Sequence, residues 1–183
     1  KLKLIYDNQD INKIDFNKIK FDFIISYRSK RILSEKIIKN AKISTINFHP
    51  STPEYRGIGC ANFAIMNNAK TYGFTIHVMD KKIDHGKILY VKKFKIGKDI
   101  TLNELLLKTY KLMQKSFRKF IEDICKNKFN KNYLNNKNNI MWSKKIYKKK
   151  DLENLYKIKT PISKKKLQKI LRATLFKKFK QFI

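Results

Sequence analysis

An α/β fold with a twisted, mostly parallel sheet and helices on both faces is what this sequence predicts, and three observations predict it. Phe21 to Tyr27 (FDFIISY) is a near-continuous apolar run, as expected of a strand buried on both sides. Ser34 to Asn40 reads as a short helix with Ser34 as its N-cap, and Ile43 to Phe48 as the next strand, so the three make a right-handed parallel crossover. The third observation is where polar residues fall. Asn47 and His49 stand two apart at the end of that second strand and share one side of it, and Pro50 stops it. In open sheets of this class ligands bind beyond the carboxyl ends of the strands, where Asn47 and His49 would stand.

The remaining elements follow in order. Leu2 to Tyr6 reads as a short strand, and Ile11 to Lys20 as a turn with a short helix or loop. Ser51 to Gly59, with Pro53 and two glycines, is a shaped loop. It feeds a helix over Cys60 to Lys70 that places Phe63, Ala64, Ile65 and Met66 on an apolar face, with Gly73 as its stop. Free backbone N–H groups at that helix start suit an anionic ligand. Phe74 to Met79 and Lys87 to Ile96 are strands joined by Asp80 to Gly86; the second has one wet face, because Lys93 and Lys95 alternate with Phe94 and Ile96. His77, inside the first of these strands, reads as a packed, hydrogen-bonded core residue, and His85 as an exposed loop histidine. Thr101-x-x-Glu104 is a capping box opening a helix to about Lys126. Asp151 to Lys157 reads as a short helix starting on its own acidic cap. The chain thus divides into a main domain over 1–126, an Asn-rich linker over 127–139 and a small C-terminal extension over 140–183.

Composition narrows the function classes. At 183 residues the chain can build one sizeable core and a small appendage. The formal charge of +30 suggests an anionic partner, but only five basic residues are Arg: Arg28, Arg31, Arg56, Arg118 and Arg172. The lysines are spread among many Asn and Ile, which reads as compositional bias and a solvated basic surface rather than a nucleic-acid stripe. Cys60 and Cys125 have no metal spacing and need not pair, which fits a reducing cytoplasm and no metal. No apolar run is long enough to span a bilayer.

Three motifs in order, Asn47-x-His49-Pro50-Ser51, Tyr55-Arg56-Gly57 and Ile83-Asp84-x-Gly86, resemble those of the 10-formyltetrahydrofolate-dependent formyltransferases. That family includes glycinamide ribonucleotide formyltransferase, methionyl-tRNA formyltransferase and the nucleotide-sugar N-formyltransferases. The resemblance implies a formyltransferase-like (Rossmann-like) catalytic domain over 1–126 with Asn47, His49 and Asp84 as the catalytic trio. Arg31-Ile32-Leu33-Ser34 resembles the segment that lines the folate pterin pocket in the glycinamide ribonucleotide branch. By that likeness Arg31, Ile32 and Leu33, together with Ile83, would hold 10-formyltetrahydrofolate as co-substrate, and Tyr55, Arg56 and Gly57 would contact the amine substrate. No covalent enzyme intermediate is implied, so Cys60 reads as a small packed side chain.

The segment STPEYRGIGCANFA, the stretch Trp142 to Leu155, and Arg172-Ala173-Thr174 with Phe176, Phe179 and Ile183 look most like nucleotide-sugar N-formyltransferases. Arg172 reads as structural rather than phosphate-binding. The implied activity is formyl transfer to the amino group of a nucleotide-linked amino sugar, in the cytoplasm, by a protein compatible with a homodimer. The alternatives are methionyl-tRNA formyltransferase, with tRNA as the only nucleic-acid partner, and a non-catalytic basic RNA-binding protein on the same scaffold. The chain opens at Lys1 on a strand-like run, and the likeness leads to the expectation of further strand and helix units before it.

Overall fold

The computed structural model describes residues 5, 20–126, 128–129 and 139–175. The strand expected over Leu2 to Tyr6, the segment Ile11 to Lys20, the Asn-rich linker and Phe176, Phe179 and Ile183 lie wholly or mostly outside the described residues.

The expected crossover is present. Strand β1 (Phe21–Tyr27) leads to helix α1 (Glu35–Ile38) and then to strand β2 (Ala41–His49), which pairs parallel with β1. Ser34 caps α1 by accepting a hydrogen bond from the Ile37 N–H. After the two-residue strand β3 (Arg56–Gly57) comes helix α2 (Cys60–Met66). Strands β4 (Thr71–Val78) and β5 (Ile88–Lys95) complete a four-stranded sheet in the order β1-β2-β4-β5.

The sheet is α/β in class but mixed in direction, which corrects the expectation of a mostly parallel sheet. Within this four-stranded sheet, among the described residues, only β1 and β2 run parallel; β4 is antiparallel to both β2 and β5. The cause between β4 and β5 is the short link from Met79 to Lys87, which cannot carry the chain back across the sheet as a parallel crossover requires. Helix α2 also ends earlier than expected. Asn67 caps it, Asn68 turns the chain at φ 51°, and Gly73 lies within β4 rather than at a helix stop.

Alternation along β2 and β4 sorts the two faces of the sheet. Ile46, Phe48, Phe74 and Ile76 are buried on one face against Met113 and Phe120 of the long helix α3 (Leu102–Cys125), with Phe129 beside them. Full burial of a side chain such as Phe48 stabilises the fold by about 1.5–3 kcal/mol. The predicted capping box opens α3: Thr101 Oγ1 accepts from the Glu104 N–H, and the Glu104 carboxylate accepts from the Thr101 N–H at 2.8 Å. A second cluster joins Tyr72, Leu102 and Leu105 to Ala61, Ala64 and Ile65 of α2. On the opposite face of the sheet Thr45, Asn47, His49, Thr75 and His77 are the side chains presented, and the Thr45 hydroxyl donates to the Ile38 carbonyl of α1 at 2.7 Å.

The C-terminal segment packs against this domain. Strand β6 (Ile146–Tyr147) pairs parallel with β3, and helices α4 (Lys149–Tyr156) and α5 (Lys164–Thr174) follow. Tyr147 stacks on Phe63 of α2 with ring centroids 4.0 Å apart. Asn62 donates to the Ala173 carbonyl of α5 at 2.7 Å. Asp151 stands in the first turn of α4 rather than ahead of it, its carboxylate accepting from the Lys148 N–H at 2.7 Å. Arg172 donates to the backbone carbonyls of Lys98 and Ile100, in keeping with a structural role. No helix among the described residues is long and apolar enough to cross a membrane.

Candidate active site

The end of β2 and the loop after β4 bring the three motif residues together. Asn47 and His49 project from β2 on its polar face, and register places them opposite His77 and Thr75 of β4. The loop returns Asp84 beneath them in a left-handed conformation, φ 44°, that a non-glycine residue rarely adopts. Asp84 Oδ1 lies 3.4 Å from His49 Nδ1 and 3.7 Å from His77 Nε2, while Oδ2 accepts from the Gly57 N–H at 2.9 Å. All three side chains are buried.

His77 is the residue that sequence reasoning set aside as core. It is indeed packed and hydrogen-bonded, but it also touches two of the three motif residues, Asn47 and Asp84. Its Nδ1 lies 2.8 Å from the Val78 carbonyl, so in the neutral ring that nitrogen is the donor and Nε2 the acceptor. Asn47 Nδ2, 3.1 Å from that Nε2, then donates to it, which fixes which way the amide points. The second N–H on Asn47 Nδ2 remains for a ligand. The available signal was the alternation of Thr75 and His77 against Phe74 and Ile76, which puts a polar face on a central strand.

Electrostatics set the resting charges. Burial pushes the His49 imidazole below its ordinary value of 6.5, against the opposing pull of the Asp84 carboxylate and the Tyr55 carbonyl, 3.2 Å from Nε2. For Asp84 burial acts to raise the carboxyl, but the contact with His77, the charge His49 gains when protonated and the Gly57 N–H outweigh it and hold it below the usual range. Cys60 is driven the other way, up to about 12, by burial and the Asp84 charge, and its thiol lies 3.2 Å from the Gly57 carbonyl. A neutral thiol of this kind is no nucleophile.

These directions give a stability prediction. His49 is held neutral in the folded state, so its contribution is complete above 6.5 and is lost as pH falls through the lowered folded value. Asp84 adds a second loss below 3.8, as pH falls through its own lowered value. Thermal unfolding followed downward from about pH 8 is expected to show stability starting to decline near 6.5, and His49→Gln to flatten that first part of the decline. An unchanged slope in the variant would place the decline elsewhere.

The trio faces a cavity of about 830 Å³. Arg31, Ile32 and Leu33 of the β1–α1 link and Ile83 line it, so all four residues expected to hold the folate meet the three catalytic candidates in one space. Ile32 is 78 % exposed and Ile83 50 %, so these side chains are offered to the opening rather than packed under α1. Ile58 and Ile146 extend the apolar rim, and Lys148 and Lys149 bring positive charge to it from the C-terminal segment.

Of the three residues expected to contact the amine substrate, Gly57 lines this cavity and the other two do not. Tyr55 packs its ring on Tyr147 and Tyr72, and Arg56 is buried with its guanidinium directed at backbone: Nη1 donates to the Ser143 carbonyl at 2.9 Å and Nη2 to the Ile83 carbonyl at 3.0 Å. In this structure, then, Arg56 is held by backbone carbonyls and Tyr55 by aromatic rings, both outside the lining of the cavity.

An amide donor, a buried imidazole and a carboxylate around one cavity on an open α/β sheet define a site of acyl-transfer type, able to stabilise an oxyanion and move a proton. A family model described as formyl transferase matches residues 7–121, and the chain belongs to the formyl transferase family. It is 40% identical over 119 residues to the bifunctional polymyxin resistance protein ArnA of Wigglesworthia glossinidia brevipalpis, covering 64% of this chain and 18% of that protein. It is 30% identical over 128 residues to the methionyl-tRNA formyltransferase of Mycoplasmopsis pulmonis, covering 68% and 44%. The chain thus spans less than half the length of these two relatives. Among solved structures it is similar to a 4-N formyltransferase from Francisella tularensis, with TM-score 0.72 and 28% identity over 90% of this chain and 66% of that one. It is also similar to an N-formyltransferase from Helicobacter canadensis in complex with folinic acid and dTDP-3-aminofucose, with TM-score 0.63 and 26% identity over 83% and 54%.

Proposed function

We propose that this protein transfers the formyl group of 10-formyltetrahydrofolate to the primary amine of a nucleotide-linked amino sugar. The observation that carries the reading is the meeting of Asn47, His49 and Asp84 with Arg31, Ile32, Leu33 and Ile83 on one cavity. The apolar edge made by Ile32, Leu33 and Ile83 suits a flat folate ring, whose polar rim would meet the backbone of the Arg31–Leu33 segment, where the Arg31 N–H itself donates to Ser29 Oγ at 3.1 Å. The sugar nucleotide is supported by the Helicobacter canadensis likeness, and by Lys148 and Lys149, whose charges on the cavity lining suit a diphosphate.

In the reaction the amine nitrogen attacks the formyl carbon and the carbonyl electron pair moves onto oxygen. The Asn47 N–H donates to that oxyanion, a contact worth about 2.7–4 kcal/mol in comparable sites. His49, when protonated, stabilises the same oxygen or passes a proton toward the folate N10. Asp84 orients the imidazole or orders a water that carries the proton shed by the amine. Collapse breaks the bond from carbon to N10, N10 takes the proton, and the products are the formamide and tetrahydrofolate.

Methionyl-tRNA formyl transfer is the second reading, favoured by the 30% identity to the Mycoplasmopsis pulmonis enzyme and by the charge of +30. A panel offering 10-formyltetrahydrofolate with dTDP-3-amino sugars, dTDP-4-amino sugars or methionyl-tRNA, followed by tetrahydrofolate release, separates the two. Turnover with a nucleotide sugar is expected, and Lys148→Ala with Lys149→Ala is expected to raise its KM about tenfold, a loss of roughly 1.4 kcal/mol. Turnover with tRNA alone, falling steeply with salt, would replace the sugar reading by the second. A chain that binds no folate by calorimetry and turns over nothing would be the non-catalytic protein.

A further inference from the structure

We infer that Trp142 and Arg56 act as positioning residues for Asp84, so that a segment beyond the 7–121 match sets the charge environment of the catalytic imidazole. The inference rests on the proposed formyl transfer for its meaning, but its test does not.

The geometry consists of two ties to the Asp80–Gly86 loop and two bonds that brace them. Trp142 Nε1 donates to the Gly86 carbonyl at 2.8 Å, just past Asp84. Arg56 Nη2 donates to the Ile83 carbonyl, just before Asp84, and its Nη1 reaches the Ser143 carbonyl next to Trp142. Ser143 is itself anchored, its N–H donating to the Pro53 carbonyl at 2.9 Å. Asp84 is therefore pinned on both sides while its own backbone is held at φ 44°, a conformation that persists only where surroundings enforce it. The Trp142 ring also meets the imidazoles edge to face, with centroids 5.0 Å from His77 and 5.9 Å from His49. Neither Trp142 nor Arg56 lines the catalytic cavity, so neither is placed to bind substrate there.

Several charged and titratable groups face His49: Asp84 from the loop, His77 from β4, Arg56 from β3 and the neutral Cys60 thiol, 4.0 Å away, from α2. Of these Asp84 is the group that favours the imidazolium, and its distance from the ring is what the ties control. Loosening the loop weakens that pull, so His49 titrates lower. Removing the Arg56 charge would act in the opposite sense, and the variants must therefore conserve charge.

The chain has three histidines, so imidazole NMR signals can be followed singly over pH without any substrate. Trp142→Phe keeps a ring but removes the donor to Gly86, and Arg56→Lys keeps the charge but loses the two-carbonyl span. Both are expected to move the His49 midpoint down by about half a unit or more, a fraction of the roughly one to three units a close opposite charge commands. With an active substrate in hand, both variants should lower kcat with the two KM values unchanged. An unmoved His49 midpoint in folded Trp142→Phe and Arg56→Lys protein overturns the inference. Loss of KM rather than kcat overturns it too, by making these residues part of the binding surface. A wild-type chain without formyl transfer would sink the proposed function and leave the NMR result to be read by itself.

Discussion

His49→Ala is expected to lower kcat for formyl transfer by about 10²–10⁴-fold while folate still binds, because the ring stands on the cavity with its Nδ1 3.4 Å from the Asp84 carboxylate and can carry a proton there. Asn47→Ala should cost about 10²–10³-fold by removing the oxyanion donor. The two losses should not multiply. Both groups act on the same developing charge, and a double variant is expected to be little worse than the poorer single one. Truncating Asn47 also strips His77 Nε2 of its partner, so part of that loss arises through His77. Steady-state rates together with calorimetric folate binding check this. A rate within a few-fold of wild type for both single variants would move the chemistry off this cluster, and lost folate binding would turn a catalytic effect into a binding one.

Much of this site was legible because it is built from local signals. Asn47 and His49 follow from a two-residue spacing on a strand stopped by Pro50, and the strand carries them to the sheet end that faces the cavity. The cap at Ser34 is a single residue and that at Thr101 a four-residue pattern, and both helices begin where those signals place them. What sequence could not supply is register and long-range pairing. His77 joins the cluster because antiparallel register sets it opposite Asn47, and nothing local to His77 encodes that neighbour. β3 and β6 are two residues each, too short to show any period, and they find one another across about ninety positions of chain. The partners Arg56 finds in the fold, the Ser143 and Ile83 carbonyls, were hidden for the same reason: they are backbone groups that leave no mark on composition. The antiparallel run of β4 was more accessible. A link of nine residues to β5 excludes a parallel return, and the buried apolar runs alone drew the expectation the other way.

Gly57→Ala is expected to disrupt the site, reducing both stability and rate. Gly57 sits at φ +88°, where an L side chain costs roughly 1–2 kcal/mol from backbone sterics alone. A Cβ there would also collide with the Tyr147 carbonyl oxygen, which cannot step aside because it accepts from the Ile58 N–H at 2.9 Å. Relief requires β3 to separate from β6, and that movement carries off the Gly57 N–H that Asp84 Oδ2 accepts at 2.9 Å. The combined loss of about 2–4 kcal/mol corresponds to a fall in Tm of about 5–10 °C for a chain of this size. Gly59→Ala provides the contrast. Gly59 also has positive φ, at +74°, but its added Cβ would meet the flexible Leu152 side chain at 2.9 Å, so only the backbone strain should remain. If the two variants melt together and retain equal activity, the β3–β6 contact does not hold Asp84, and the carboxylate must keep its place through the loop alone.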